Sequence, residues 1–241
     1  MANSIIDMID VNYSIIEAGK ERVLLNNITH SFRKGAISTI SGPSGSGKTT
    51  LLYAIAGLVD NVKGNIMIDG VTINSMNEKN RNNYRLNNLS MVYQNLNLFS
   101  FMNVEENILV PLYLQDKPIT AETKKMIARY LDIMSLGRIQ NKDINSLSGG
   151  EKQRVAIIRA LISNPKIVLC DEPTASLDEQ NVNVFMNTLV DIKNETNTSF
   201  IIVTHDQRVF RFGEDKCYLS DGNIYNICHD NNFDINIPKA I

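Results

Sequence analysis

The 241-residue chain has no apolar run long enough to cross a membrane. Its first ten residues, MANSIIDMID, carry acids where a secretory signal needs basic residues. We therefore expect a cytoplasmic protein that reaches a membrane only through a partner. The formal net charge of −2 argues against a protein built mainly to bind nucleic acid, and we expect no nucleic-acid partner.

Cysteine is scarce as well. Cys170, Cys217 and Cys228 are widely and irregularly spaced, which excludes a disulfide framework and a cysteine metal site. Cys170 lies inside an apolar run, which predicts a small buried thiol. The chain also lacks internal repeats and low-complexity linkers. With 43% hydrophobic residues, it is expected to form one large domain, or a compact domain with a subdomain.

The first third of the chain has the pattern of short strands separated by turns. The strand AISTI ends at Gly42, and a helix is predicted from Lys48 to Leu58, where Gly57 stops it. A hairpin follows, with Asp69-Gly70 as its turn. The alternation in ITHSF is typical of a half-buried antiparallel strand. These features predict an N-terminal antiparallel β part.

The middle of the chain, from about 102 to 146, has little strand signal. A helix closed by Gly137 carries apolar residues on one face: Met126, Ile127, Tyr130, Leu131 and Met134. We interpret this region as a helical subdomain inserted into an α/β core.

The core resumes in the last third, where apolar strands alternate with helices. A helix follows Gly150 and ends at Asn164-Pro165; the strands KIVLC and SFIIVTH flank the helix NVNVFMNTLVDIKNET. This order predicts a parallel sheet covered on both faces. The stretch CYLSDGNIYNI resembles a hairpin, and the polar tail from His229 is expected to be peripheral.

A glycine-rich loop, GPSGSGKT, follows a predicted strand and opens a predicted helix. It fits the phosphate-binding pattern G-x-x-x-x-G-K-[ST]. Lys48 would bring its charge to the β- and γ-phosphates, and the hydroxyl of Thr49 would ligate Mg²⁺. The pattern predicts a nucleoside triphosphate and magnesium but no particular reaction. The residues assigned to the loop are Gly42, Pro43, Ser44, Gly45, Ser46, Gly47, Lys48, Thr49 and Thr50.

Three further polar residues follow the buried strands. Asp171 ends KIVLC where a metal ligand is expected, and Glu172 could polarise a water aligned with the γ-phosphate. Two solvated acids in a turn are the alternative. His205 follows SFIIVT and could contact the γ-phosphate or orient the water, or it could be a capping or packed histidine. His30 and His229 have no such setting and are expected to be surface or core residues.

A second possible anion site lies in SLSGGEKQR. Ser148 and Glu151 form an S-x-x-E capping box before an apolar helix, which is a sufficient structural reason for both residues. The capping box does not explain Gly149 and Gly150, which leave the N–H groups at the helix start bare.

Together these motifs resemble the ATP-binding subunits of ABC transporters, over nearly the whole chain. LSGGEKQR, from Leu147 to Arg154, is similar to the signature motif of that family. The resemblance implies a single domain over 1–241, an α/β phosphate-loop NTPase with a mixed or parallel sheet. The core would comprise 1–93 and 155–228, the helical subdomain 94–154 and the tail 229–241.

The resemblance also implies roles for individual residues. Tyr13 is similar to the aromatic residue that stacks on adenine, and Gln94 to the glutamine that touches Mg²⁺ or the attacking water. His205 matches the switch histidine. The ASLD stretch ending at Asp178 resembles a loop that crosses a dimer interface. Two copies would pack head to tail, so that ATP on one copy meets a second set of residues from the other: Ser148, Gly149, Gly150 and Asp178.

The segment FMNVEENILVPLYLQ resembles the lipoprotein-release and macrolide-export subgroup, with departures at Asn103 and Tyr93. The subgroup implies an ATPase held at the inner face of the cell membrane by an integral membrane permease. Residues 94–119 would form the groove that receives the permease. The permease would export or extract a peptide, lipid or drug-like substrate.

Two other functions stay open from the sequence. The first is a mechanotransmitting or sensing ATPase that drives a membrane protein without transport. The second is a soluble ABC ATPase acting on DNA or ribosomes. Against the second stand the single nucleotide-binding unit, the absence of a coiled-coil insertion and the slightly acidic charge.

Overall fold

The computed structural model describes residues 3–175 and 177–227. Predictions that involve Ser176, Cys228, His229 and the tail lie outside the described residues. The strands are β1 (Ser4–Glu17), β2 (Lys20–Arg33), β3 (Ile37–Ser41), β4 (Lys63–Ile68), β5 (Val71–Thr72), β6 (Leu89–Val92), β7 (Ile167–Asp171), β8 (Ser199–Val203), β9 (Asp215–Ser220) and β10 (Asn223–Asn226). The α-helices are α1 (Lys48–Ile55), α2 (Glu78–Asn88), α3 (Val104–Leu114), α4 (Ala121–Ile133), α5 (Gly149–Leu161), α6 (Glu179–Thr196) and α7 (Gln207–Phe210).

A six-stranded sheet forms the centre of the fold, in the order β10-β9-β3-β8-β7-β6. All neighbouring pairs are parallel except β10 with β9. This confirms the predicted mixed, largely parallel sheet. Because β3, β8 and β7 are neighbours, the segments that follow them meet at one edge of the sheet. Those segments begin at Gly42, Glu172 and Thr204.

A second, antiparallel sheet has the order β2-β1-β4-β5. The N-terminal antiparallel part is confirmed, but the expectation of short strands is wrong, because β1 and β2 are 14 residues each and form one long hairpin. Several register shifts break the alternation along this hairpin, which obscures its length in the sequence. The predicted Asp69-Gly70 turn is confirmed, with φ of +48° and +77° at its two residues.

Side chains alternate between the two faces of the central sheet and feed two apolar clusters. Ile40, Leu169 and Ile201 join the cluster built with α1 and the antiparallel sheet. Val168 and Cys170 join the cluster built with α3, α4, α5 and α6. Both faces are therefore covered, as predicted. Cys170 is fully buried, and burial raises the pKa of its thiol.

The helix α2 was not predicted, because its sequence, EKNRNNYRLNN, has no apolar face and contributes no fully buried residue. Polar contacts hold it instead. Asn77 caps its first turn, the hydroxyl of Tyr84 donates to the Ile68 carbonyl at 2.7 Å, and Arg85 donates to the Gly57 carbonyl at 3.2 Å.

Two helices end earlier than predicted. Helix α1 stops at Ile55, three residues before Leu58, and Gly57 adopts a left-handed φ of +64° just beyond it. Helix α4 ends at Ile133, four residues before Gly137, and both Ser135 and Gly137 adopt left-handed conformations beyond it, with φ of +53° and +61°. Within 3–175 and 177–227, no helix combines the length and hydropathy required to span a bilayer.

Candidate functional site

The glycine-rich loop connects β3 to the start of α1. Gly47 precedes the helix with φ of +100°, and a Cβ at this position would lie 2.5 Å from the Leu24 carbonyl oxygen, so only glycine fits. No side chain caps the first turn of α1. The hydroxyl of Ser46 is buried without a hydrogen-bond partner. Bare amides and an unpaired buried hydroxyl fit a phosphate ligand.

The ammonium of Lys48 lies within this loop. Its Nζ donates to the carbonyls of Gly42 and Pro43, at 2.8 Å each. Burial lowers the pKa of Lys48, while the carboxylates of Glu172 and Asp171 act in the opposite direction. The positive charge is therefore held beside the amides of the loop, where it can exchange these carbonyls for phosphate oxygens.

Thr49 and Asp171 meet beneath the loop. The hydroxyl of Thr49 donates to Oδ1 of Asp171 at 3.2 Å. Burial raises the pKa of Asp171, because no cation fully offsets the lost hydration of the carboxylate. A hydroxyl and a buried carboxylate are oxygen ligands that suit Mg²⁺. In the described part of the chain, no group of three or more histidine, cysteine or acidic side chains is arranged to hold a metal ion.

Glu172 and His205 are in direct contact at the ends of β7 and β8. The imidazole Nδ1 of His205 lies 2.8 Å from Oε1 of Glu172, and the backbone N–H of His205 donates to the same oxygen at 3.1 Å. The hydroxyl of Thr204 donates to Oε2 at 3.1 Å. The side chain of Glu172 is only 12% exposed, whereas that of His205 is 74% exposed. The carboxylate is thus fixed, and the imidazole is open to a ligand.

A cavity of about 700 Å³ joins these groups. Most of the residues that were predicted to bind or hydrolyse the nucleotide line it. The lining residues are Ile15, Arg22, Leu24, Ser44, Gly45, Gly47, Lys48, Thr49, Thr50, Gln94, Asp171, Glu172 and His205.

Tyr13, predicted to stack on the base, is not among the lining residues. It packs, partly buried, against the apolar cluster beneath the hairpin. Ile15, Arg22 and Leu24 were not predicted. Side chains alternate along β1, so Ile15 lies on the same strand face as Tyr13. This alternation is the one feature of the sequence that could have indicated Ile15 as a lining residue. The contributions of Arg22 and Leu24 depend on the pairing of β2 with β1.

The signature segment opens α5 away from this cavity. The predicted capping box is confirmed: the hydroxyl of Ser148 accepts from the Glu151 N–H at 3.3 Å, and the Ser148 N–H donates to the Glu151 carboxylate at 2.8 Å. The bond from the Ser148 backbone is the main reason why the pKa of Glu151 is lowered.

Gly149 and Gly150 form the first turn of α5. A Cβ on Gly150 would lie 2.9 Å from Cδ2 of Leu177. Asp178 caps α6 by accepting from the Asn181 N–H at 2.9 Å. Ser148, Gly149, Gly150 and Asp178 do not line the cavity of their own chain.

His30 lies outside the site, as expected. Its ring packs edge-on against Phe32, with Nε2 3.4 Å from the buried Sγ of Cys217. Burial lowers the pKa of His30 and raises that of Cys217 to about 12, so this thiol is not a nucleophile.

A phosphate loop after β3, an acidic pair at the end of β7 and a histidine after β8 define a phosphate-loop nucleoside triphosphatase. The family model described as ABC transporter matches residues 25–175. The chain belongs to the ATP-binding subunits of ABC transporters. It is an ATPase.

The relatives agree with the subgroup resemblance. The chain is 37% identical to the lipoprotein-releasing system ATP-binding protein LolD of Buchnera aphidicola, over 93% of this chain and 97% of that protein. It is also 37% identical to the ABC transporter ATP-binding protein YtrE of Bacillus subtilis, over 89% and 93% of the two chains.

The solved structures agree as well. A dimeric structure of the cassette MJ0796, bound to ADP and Pi, superposes with a TM-score of 0.85 and 32% identity. It covers 93% of this chain and 100% of that one. MJ0796 belongs to Methanocaldococcus jannaschii.

Proposed function

We propose that the chain binds Mg²⁺ and ATP in the 700 Å³ cavity, hydrolyses ATP as one half of a head-to-tail dimer, and drives a membrane permease that extracts or exports its cargo. The observation that carries the proposal is the convergence of two pairs, Thr49 with Asp171 and Glu172 with His205, on one sheet edge beside a bare glycine loop.

Each polar residue then has a distinct task. The loop amides and Lys48 would bind the phosphates, and Thr49, Asp171 and Gln94 would hold the metal. Bound there, Mg²⁺ would neutralise charge on the β- and γ-phosphates. Glu172 accepts a proton from the attacking water, and His205 keeps the carboxylate in position.

The positions of the signature residues support the proposed dimer. Ser148, Gly149, Gly150 and Asp178 are absent from the lining of their own cavity, so they would reach a bound γ-phosphate only from a second copy. Gly149 and Gly150 supply bare N–H groups at the start of α5, a helix of 13 residues with a favourable dipole. The dimeric cassette MJ0796 supports this arrangement.

Mixing two inactive variants tests the head-to-tail arrangement. Lys48→Ala removes the phosphate-binding charge. Ser148→Asp keeps a capping side chain but repels phosphate. A mixed dimer has one fully intact site, formed by Lys48 of one copy and Ser148 of the other. We expect mixing to restore phosphate release, whereas sites completed within one chain would stay inactive.

A second cavity, of about 460 Å³, is proposed to receive the permease. It is bounded by the end of α1 and by α2, β6, α3 and α5. Only Pro111 and Leu114 of the predicted 94–119 range line it. Leu114 is 63% exposed, and Phe101, beside the cavity-facing helix α3, is 79% exposed. These apolar surfaces fit a short apolar helix.

The charged residues that line this cavity indicate which polar side chain the docking helix should carry. Arg85 and Arg159 line the cavity together with apolar and neutral side chains, and none of the described lining residues is acidic. Their guanidinium groups contact backbone carbonyls, at Gly57 for Arg85 and at Asn97 for Arg159. Burial lowers the pKa of Arg159. A carboxylate on the docking helix would supply the missing counter-charge.

Leu114→Ser and Arg85→Gln test this docking surface. Both should reduce co-purification of the membrane protein with the tagged chain, while ATP binding by the isolated chain stays unchanged. Val184→Ser, at a 49% exposed position of α6, is the matched control. Equal recovery of the permease with all three variants would contradict the docking site.

Lipid or lipoprotein extraction is the transport function we favour, because the LolD relative matches nearly end to end. The complex would lie at the inner face of the cell membrane. Reconstituting the chain with its co-purifying permease in liposomes tests this by following ATP-dependent release of a lipid-anchored protein. ATPase stimulation by the permease without any release would favour the mechanotransmission alternative.

A further inference from the structure

Part of the wall of the nucleotide cavity is formed by the hairpin β1–β2. Ile15, Arg22 and Leu24 line it. The wall abuts the phosphate loop directly, since a Cβ on Gly47 would lie 2.5 Å from the Leu24 carbonyl oxygen. If the phosphates bind in the glycine loop with the γ-phosphate toward Glu172, the base of the nucleotide would lie against this wall.

A β-bulge shapes the wall. The pairing register steps from Tyr13–Leu25 to Ser14–Val23, which leaves Leu24 as an extra residue on β2. Bulges beside active sites redirect side chains in this way. The bulge separates the Tyr13–Leu25 pair, which packs on the apolar cluster, from the Ile15–Arg22 pair, which lines the cavity.

The three side chains have a defined binding chemistry. Ile15 and Leu24 are branched aliphatics. Arg22 adds a planar guanidinium, and its Nη1 is bonded to Glu17 at 2.9 Å, with both side chains more than half exposed. Such an exposed ion pair is weak, yet it favours one orientation of the guanidinium. Guanidinium groups stack on aromatic rings.

We propose that Ile15, Leu24 and Arg22 hold the base in place of Tyr13, and that the site takes GTP as readily as ATP. The inference rests on the proposed nucleotide binding. None of the three side chains has an acceptor that could select the amino group of adenine. Stacking and apolar contact accept every base, because every base has a π-face.

The test uses the full chain, with ATP, GTP and inorganic tripolyphosphate as probes in calorimetric titrations. We expect ATP and GTP to bind within about threefold of each other, as stacking without edge recognition predicts. Ile15→Ala and Arg22→Ala should each weaken both nucleotides by about 3- to 10-fold, the scale of one stacking or cation–π contact. Tripolyphosphate affinity should not change. Val23→Ala, on the neighbouring position of β2, is the matched control.

Tyr13→Leu separates the two interpretations of the base site. If the hairpin wall holds the base, nucleotide affinity follows Ile15 and Arg22 rather than Tyr13. A loss confined to Tyr13→Leu, or a preference of more than about tenfold for ATP, would overturn the inference, because it would require edge recognition. Wild-type protein that bound neither nucleotide would instead refute the proposed function.

Discussion

His205 holds Glu172 from two sides, with its ring Nδ1 and its backbone N–H both within 3.1 Å of the same carboxylate oxygen. Strand β8 places the histidine, and its parallel neighbour β7 places the glutamate. Glu172 itself adopts a left-handed φ of +49°. The carboxylate is therefore positioned by the backbone of two strands as well as by a side chain.

Glu172→Gln removes the proton acceptor but keeps one oxygen that can receive the His205 hydrogen bonds, while its amide NH2 can donate to the Thr204 hydroxyl. We expect kcat to fall by about 10²- to 10⁴-fold, the usual contribution of a positioned base, while ATP still binds. Phosphate release measures turnover, and size-exclusion chromatography with ATP should reveal a trapped dimer. Hydrolysis at the wild-type rate would exclude Glu172 as the base.

Ser148→Asp distinguishes phosphate binding from helix capping. Aspartate caps a helix as well as serine does, but its carboxylate would face the Glu151 carboxylate, which accepts from the Ser148 hydroxyl at 2.8 Å, so a moderate fall in melting temperature is expected. The added charge also repels phosphate, and turnover should collapse. Thr120→Ala is the control, because Thr120 belongs to the capping box of α4. This variant should lose about 0.5–2 kcal/mol of stability and keep its turnover. Unchanged turnover in Ser148→Asp would leave capping as the only role of Ser148.

His30→Leu should reveal the cost of burying a titratable ring. Burial lowers the folded-state pKa of His30, so the unfolded chain binds more protons as the pH falls below about 6.5. The wild type then loses stability that it has at higher pH, whereas the variant does not. The melting temperature of the wild type minus that of the variant should therefore become smaller as the pH is lowered from 7.5 to 5.5. An increase over this range would show that the nearby carboxylate of Asp215, not burial, dominates.

Asn107→Ala should loosen the segment that presents the exposed ring of Phe101. Asn107 is fully buried, accepts from the Phe99 N–H at 2.8 Å and donates to the carbonyls of Phe99, Met102 and Asn103. The backbone groups that bond to Asn107 would lose their partner, which should lower the free energy of unfolding by about 1–3 kcal/mol. Urea unfolding measures this change. Intrinsic ATP affinity should not change. A loss below about 0.5 kcal/mol would mean that water replaces the amide.

The catalytic edge was predictable because it depends on short-range sequence. Each of its residues follows a buried apolar strand, and parallel strands bring their carboxyl ends together. Lys48, Asp171, Glu172 and His205 could therefore be assigned to one edge before any coordinates, and they line one cavity. Their catalytic roles remain predictions.

The base-binding end of the site could not be predicted in the same way. Which residues of β2 line the cavity beside Ile15 depends on a bulge at Leu24, and the bulge depends on the pairing of two strands. Helix α2 escaped prediction for a related reason. Its stability comes from contacts with distant residues, such as the bond from Tyr84 to Ile68, and not from an apolar face.

Because Gly150 has no Cβ, the start of α5 can pack closely against the segment that leads to α6. Any β-carbon at position 150 would press on Leu177. In related sequences, alanine at 150 should occur together with a smaller residue at 177, so the two positions are expected to change as a pair. For protein engineering, the usual exchange of a helical glycine for alanine would require the Leu177 side chain to shift, so it should stabilise less here unless position 177 is reduced as well.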